Sequence, residues 1–160
     1  MNTRTISVLV ENHSGTLSRI SGLFASRGYN IASLTVGETE DPSISRMTIV
    51  VEGDEAIIEQ VVKQLNKLID VIKVIDFEGQ PVIEREFILV RVDSTKSSRH
   101  EIVELADLFG AKVAYVGSSS ITFELSAPYD IINDFIGLIK PYGVKELIRT
   151  GKVAMAQARK

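Results

Sequence analysis

The chain of 160 residues contains no cysteine and no tryptophan, and it has only two histidines. Without cysteine it can form no disulfide, no thiolate metal site and no cysteine nucleophile. His13 and His100 fall in polar segments and lack the H-E-x-x-H spacing or a clustered His/Asp pattern. Glu38, Glu40 and Asp41 share one loop but lack the further oxygen ligands of a calcium loop. We therefore predict exposed histidines and no metal site.

Long apolar runs, nucleotide-binding motifs and a basic stripe are also missing. No segment is apolar over the roughly 20 residues that cross a membrane, and no charged region followed by an apolar one marks a secretion signal at Met1. The chain lacks a P-loop, a G-x-G-x-x-G sequence and a G-x-S-x-G context around Ser118–Ser120. With a net charge of −3 it shows no basic surface for nucleic acid. These absences favour a cytoplasmic protein without catalytic residues, and without a membrane or nucleic-acid partner.

The residues that are present suit a globular α+β protein. Hydrophobic residues make up 44% of the chain and charged residues 24%, which allows one ordinary domain or two small ones. The first half shows strand and helix patterns in the order β-α-β-β-α-β, the arrangement of a ferredoxin-like fold. Its predicted strands are Arg4–Glu11, Asn30–Val36, Arg46–Glu52 and Val71–Phe77, and its predicted helices are Thr16–Arg27 and a second that begins at Gly53-Asp54.

The second half repeats this order more loosely after a break at Gly79-Gln80-Pro81. We predict two ferredoxin-like domains, residues 1–78 and residues 84–160, joined by a linker at residues 79–83. The last strand is expected at Val144–Arg149, and the basic residues that end the chain are expected to form a frayed, solvated tail. The turn D-S-T-K-S-S of the second half supplies helix caps but lacks the glycine found in the first half.

The turn between the first strand and the first helix has the chemistry of a ligand site. Leu17, Ile20, Leu23 and Phe24 place one apolar face on the helix, which ends at Gly28, where glycine suits a left-handed cap. The free N–H groups at the helix start attract a carboxylate, and Gly15 allows close approach to the backbone. The residues alone leave a second interpretation open, in which Ser14 or Asn12 caps the helix and Gly15 only makes the turn.

The same stretch resembles a known family. Glu11–Thr35 reads E-N-x-S-G-x-L-S-R-I-x-G-L-F-x-x-R-G-Y-N-I-x-S-L-T, and Asp41–Val50 reads D-P-S-I-S-R-M-T-I-V. These motifs resemble the small, regulatory subunits of acetohydroxyacid synthase (acetolactate synthase), whose first half is a ligand-binding ACT domain. The resemblance is almost without gaps from Arg4 to about Val92 and is looser to Lys160.

The resemblance implies a protein that is non-catalytic in isolation and regulates a large subunit. It implies that the chain binds valine, or another branched-chain amino acid, to confer feedback inhibition, and that it activates the large subunit in valine, leucine and isoleucine synthesis. Thiamine diphosphate, magnesium and FAD are expected on the large subunit, and no cofactor on this chain. Two ACT domains are expected to pair as a homodimer through a continuous sheet.

The resemblance also implies a set of valine-binding residues at the interface of that homodimer. They are expected to be Asn12, His13, Ser14, Gly15, Thr16, Leu17, Asn30, Ile31 and Leu34. Asn12 and Asn30 stand at opposite ends of one helix in sequence, so they can meet only across two chains. The alternative is an amino-acid-binding ACT module that regulates another enzyme.

Overall fold

Two four-stranded antiparallel sheets, each with helices, make up the computed structural model, which describes residues 3–157. The first sheet has the strand order β2-β3-β1-β4 and carries two helices. Its elements are β1 (Thr3–Glu11), α1 (Thr16–Ser26), β2 (Asn30–Glu38), β3 (Ile44–Glu52), α2 (Glu55–Leu65) and β4 (Val71–Asp76). This order confirms the predicted β-α-β-β-α-β arrangement, and it places β2 at one edge of the sheet.

The second sheet repeats the arrangement with the strand order β6-β7-β5-β8. Its elements are β5 (Val82–Asp93), α3 (Arg99–Leu108), β6 (Lys112–Val116), β7 (Ser120–Ala127), α4 (Tyr129–Ile139) and β8 (Val144–Ala156). The two sheets therefore have equivalent strand orders, and the predicted fold of two ferredoxin-like domains is confirmed. No helix within residues 3–157 is long and apolar enough to span a membrane.

The first core lies between the sheet and the two helices. It contains alternate residues of the central strands and one face of each helix, namely Ile6, Val8, Val10, Ile20, Phe24, Met47, Ile49, Val51, Ile58, Val61 and Leu65. The predicted helix face is correct for Ile20 and Phe24 but wrong for Leu17, which is 45% exposed. Thr48 and Val50, which alternate with the core residues of β3, are buried as well.

Glycine conformations define the ends of α1. Gly28 has φ +66°, and the amides of Gly28 and Tyr29 bond to the carbonyl oxygens of Ala25 and Phe24 at 3.2 and 3.1 Å. This pair of bonds is a Schellman motif, so the predicted left-handed cap is confirmed. The turn after the cap returns the chain along α1 into β2, so the start of α1 and the end of β2 lie at the same end of the unit.

The C-terminal segment is not a frayed tail in the residues that the structure describes. β8 continues to Ala156, beyond the predicted end at Arg149, and the last basic residues, Arg159 and Lys160, lie outside the described part. The two compact units are residues 1–83 with 152–160, and residues 84–151. Within the first unit, the Lys152 amide donates to Ser33 Oγ at 3.0 Å and the Gln157 amide to the Pro81 carbonyl oxygen at 2.9 Å. The units thus differ from the predicted domains in where the last residues belong.

Candidate functional site

The turn from β1 to α1 places a glycine at the helix start. Gly15 is the N-cap residue with φ +90°, and no side chain makes a capping hydrogen bond there. The interpretation in which Ser14 or Asn12 caps the helix is therefore wrong. The first turn of α1 also contains no acidic residue, so the positive end of the helix dipole has no carboxylate of its own. This arrangement leaves the helix start suited to an external carboxylate.

Asn12 ties the turn to the end of the edge strand. Its side-chain amide donates to Glu38 Oε1 at 3.1 Å and to the Pro42 carbonyl oxygen at 2.9 Å, and its main-chain amide donates to the Ser43 carbonyl oxygen at 2.7 Å. Glu38 is the last residue of β2. The predicted site residue Asn12 thus lies beside the C-terminal end of β2.

His13 is exposed, as predicted, but it lies close to two carboxylates. Its Nε2 lies 3.2 Å from Glu11 Oε2 and 3.1 Å from Asp70 Oδ1. The side chain of Asp70 is 4% exposed and also pairs with Arg19 on α1. The cluster was missed because Asp70 precedes β4, far from His13 in sequence, and only the closed sheet brings the two together.

Thr16 and Leu17 have opposite surroundings at the start of α1. Thr16 is 3% exposed and its hydroxyl donates to the Glu11 carbonyl oxygen at 3.1 Å. This buried hydrogen bond stabilises the turn. Leu17 points an apolar side chain to the outside, 45% exposed. Ser14 is exposed, and its carbonyl oxygen lies 3.3 Å from His13 Nδ1.

Asn30 lies at the other end of β2 from Asn12. It is the first residue of β2, and its side-chain amide donates to Glu52 Oε2 at 2.6 Å. A depression of about 530 Å³ lies here, lined by Gly28, Tyr29, Asn30, Glu52, Gly53, Asp54 and Ile57. A second depression of about 370 Å³ lies beside Asn12, lined by Glu11, Asn12, His13, Ser43, Ile44 and Ile72. Within one chain the predicted residues are therefore divided between two sites.

Apolar side chains line the edge at β2. Ile31 and Leu34 pack against the first core but remain partly exposed, and Val36 is 41% exposed. Leu17 is in the first turn of α1, at the end of the unit where β2 finishes, because the chain returns from α1 into β2 through the cap at Gly28. Leu34, Val36 and Leu17 thus form an exposed apolar border along this edge, which we call the β2 border.

In the second unit, the side chain of Arg99 makes hydrogen bonds across the equivalent turn. The Arg99 side chain donates from Nε to Ser94 Oγ at 2.9 Å and from Nη2 to the carbonyl oxygens of Gly117 and Ser118, both at 3.2 Å. Thr95 and Ser98 exchange amide-to-hydroxyl bonds of 3.0 and 3.1 Å within this turn. No side chain makes a capping hydrogen bond at Ser98, the N-cap residue of α3, so the prediction that this turn supplies a cap there is wrong. No glycine with a positive φ stands there to open it.

Comparison with known proteins gives consistent results for both halves. Residues 6–73 match the AHAS small subunit-like ACT domain, and residues 85–158 match the family described as small subunit of acetolactate synthase. The chain is 53% identical to the probable acetolactate synthase small subunit of Archaeoglobus fulgidus, over 98% of each chain. It is 45% identical to the acetolactate synthase small subunit of Haemophilus influenzae, over 98% of this chain and 97% of that one.

A solved structure extends the likeness to the fold. The crystal structure of the acetolactate synthase small subunit from Thermotoga maritima has a TM-score of 0.92 and 36% sequence identity, with all of both chains covered. Family models, relatives and structure all cover the full length of the described residues or nearly so. The chain therefore belongs to the acetolactate synthase small subunits, the regulatory and non-catalytic partners of a catalytic large subunit.

Proposed function

We propose that two copies of this chain bind valine, or another branched-chain amino acid, between their first units, and that this binding confers feedback inhibition on the large subunit. In the absence of the amino acid the chain activates the large subunit, on which we expect thiamine diphosphate, magnesium and FAD. The alternative, regulation of a different enzyme, is disfavoured because residues 85–158 also match the acetolactate synthase small-subunit family.

The observation that carries the proposal is the position of the two asparagines at opposite ends of β2. Asn30 begins β2, while Asn12 is hydrogen-bonded to Glu38, which ends it. In an antiparallel pair of β2 strands related by a two-fold axis, the start of one strand lies against the end of the other. Such pairing brings Asn30 of one copy beside Asn12 of the second copy, and it merges the two depressions into one composite pocket.

The edge strand supports this pairing physically. A nine-residue strand at a sheet edge offers a template for a second strand, and pairing across the edge creates a continuous eight-stranded sheet. The β2 border would then bury Leu34, Val36 and Leu17 against the same residues of the second copy. Burial of apolar surface contributes about 25 cal/mol per Å², which favours the dimer.

The composite pocket offers complementary groups for an amino acid. The carboxylate is placed at the start of α1, where the dipole is unopposed and Gly15 permits close approach. The ammonium group is placed among the amide oxygens of the two asparagines and the carboxylates of Glu38 and Glu52. A branched apolar side chain then packs on Leu17, Ile31 and Leu34, which are partly exposed in the single chain.

Inhibition follows if the amino acid binds one arrangement of the dimer more tightly than another. A ligand shifts an equilibrium only by its differential affinity for the two states, and a coupling of about 1–3 kcal/mol is typical. The conformational change is transmitted to the large subunit by the chain's second unit or by the dimer as a whole, and both routes depend on the composite pocket being occupied.

Calorimetric titration of the purified chain with valine, leucine and isoleucine tests the proposal. We expect saturable binding of at least one of them, and inhibition by that amino acid when the chain is mixed with the large subunit. Lysine and glutamate serve as controls, because neither side chain suits an apolar pocket. Absence of binding by all three branched-chain amino acids would exclude the proposed ligand class.

A further inference from the structure

We propose that Glu11, His13 and Asp70 form a binding site for a divalent transition-metal ion of the zinc class, at the base of the turn that precedes α1. The site adjoins the proposed amino-acid pocket, because Glu11 and His13 also line the depression beside Asn12. It differs from that pocket in that it uses side chains of a single chain and needs no second copy. It requires the fold of the first unit but not the proposed dimer or its ligand.

The fold brings the three donors together from separate parts of the chain. Glu11 ends β1, His13 lies in the following turn, and Asp70 lies in the turn that precedes β4. The main chain holds the two turns together, since the Glu11 amide donates to the Asp70 carbonyl oxygen at 2.9 Å. One donor atom from each side chain lies within 4.8 Å of the other two.

The surroundings of His13 call for a positive charge at Nε2. On the other side of the ring, Nδ1 faces the Ser14 carbonyl oxygen and Thr16 Oγ1, each at 3.3 Å. Thr16 already donates its hydroxyl proton to the Glu11 carbonyl oxygen, so at Nδ1 both neighbours act as acceptors and the proton belongs there. The lone pair of Nε2 then faces two carboxylate oxygens, Glu11 Oε2 and Asp70 Oδ1, and a metal ion bound by all three atoms would remove this repulsion.

The donor separations fit a metal ion. Zinc forms bonds of about 2.0–2.2 Å to histidine nitrogen and carboxylate oxygen, so adjacent donors lie about 2.9–3.5 Å apart in octahedral or tetrahedral geometry. The separations from His13 Nε2 are 3.2 Å to Glu11 and 3.1 Å to Asp70. Glu11 is 56% exposed and can adjust its position, whereas Asp70 is fixed by burial.

Arg19 has the role of an outer partner that orients a ligand. It pairs with Asp70 Oδ2, which leaves Oδ1 directed at His13. Partners of this kind hold ligating carboxylates in place. With a neutral imidazole the four side chains carry a net charge of −1, from Glu11, Asp70 and Arg19, so a divalent ion is electrostatically favoured. The half-exposed His13 leaves further coordination positions open to water.

Titration of the full chain with Zn²⁺, in the absence of amino acid, tests the site. We expect one tight site per chain, and with Co²⁺ as probe an absorption spectrum that reports nitrogen and oxygen ligands. His13→Ala is expected to weaken Zn²⁺ binding by roughly tenfold or more. The matched control is His100→Ala, because His100 is the chain's other histidine and pairs with the exposed Glu104 in the next turn of α3.

A second variant tests the site even if His13→Ala, which removes a neighbour of Asp70, disturbs folding. Glu11→Gln retains the size of the side chain and removes its charge, and we expect it to weaken Zn²⁺ binding while the far-UV spectrum is unchanged. Zn²⁺ binding that is equally tight in His13→Ala, or is lost in His100→Ala, would overturn the proposal. The absence of any tight site would overturn it as well. Valine binding measured in chelator separates this outcome from failure of the amino-acid site.

Discussion

Single residues at the first turn carry most of the proposed chemistry. Gly15 combines a positive φ with open space, since among residues 3–157 an added Cβ would meet only the Arg19 side chain, at 3.8 Å. The sequence predicted a glycine needed for close approach, but it did not give the backbone conformation. A side chain at this position is therefore strained by its own backbone and also lies in the path of a ligand.

Gly15→Asp is expected to abolish amino-acid inhibition of the reconstituted enzyme. Its carboxylate would repel the ligand's carboxylate from the helix start, and the left-handed backbone would cost about 1–2 kcal/mol of stability. Gly15→Ala separates the two effects, because it adds the strain without the charge. We expect Gly15→Ala to lower the melting temperature similarly but to retain weakened inhibition.

Gly22→Ala is the matched control for these variants. Gly22 lies inside α1 with nothing within 4 Å of an added Cβ, so alanine should stabilise the helix by up to about 1 kcal/mol. Inhibition curves and melting temperatures of the three variants are compared with the unmodified chain. Unchanged inhibition in Gly15→Asp would place the amino-acid pocket elsewhere.

At the scale of elements, hydrophobic periodicity predicted the order of the strands and helices. It did not predict which of their apolar residues other elements would bury. Leu17 fits the apolar face of α1 by spacing, yet it is 45% exposed, because the buried face runs through Thr16, Ile20 and Phe24 and Leu17 lies at its rim. The Glu11, His13 and Asp70 cluster shows the same limit, since it depends on how two distant turns meet. Patterns within one element cannot report contacts made only after the sheet is closed.

The β2 border gives a prediction about association. Leu17→Glu and Val36→Glu each place a charge where the proposed dimer buries apolar surface, so both should shift the chain toward monomers and weaken amino-acid binding. Each residue is already partly exposed, and we expect the melting temperature at low concentration to change little. Sedimentation over a range of protein concentrations measures the dimer dissociation constant.

The control for this experiment is Leu108→Glu. Leu108 is 81% exposed at the end of α3, in the second unit, and a charge there should leave both dimerisation and amino-acid binding unchanged. If Leu17→Glu and Val36→Glu sediment like the unmodified chain, the copies do not associate through β2. Dissociation by Leu108→Glu would point instead to an interface on the second unit.

At the scale of the whole molecule, the two units share one fold but differ in the turn that precedes their first helix. The first turn of each unit has the same place in the fold. In the first unit Gly15 leaves the helix start without a side-chain bond, whereas in the second unit the Arg99 side chain bonds across to the carbonyl oxygens of Gly117 and Ser118. The sequence predicted this difference from the absence of a glycine in the second turn. It did not predict that the last residues, 152–157, would lie with the first unit, because their strand pattern is short and their composition resembles a solvated tail.

The final prediction concerns this C-terminal segment. A chain that ends at Gly151 loses the bond from the Lys152 amide to Ser33, which lies on β2, the bond from the Gln157 amide to Pro81, and the burial of Ala154. Two hydrogen bonds at about 0.5–1.5 kcal/mol each imply a loss of about 1–3 kcal/mol in the free energy of unfolding. Because Ser33 and Asn30 share β2, amino-acid binding should weaken as well.

A chain that ends at Gln157 is the matched control, since it removes three residues but keeps every contact just named. Urea unfolding and calorimetric titration with valine are compared for both truncated chains. The shorter chain is expected to unfold at lower urea concentration and to bind more weakly, while the longer one behaves like the complete chain. Equal stability of the two would mean that residues 152–157 contribute nothing to the first unit, and that its fold is complete by Ile83.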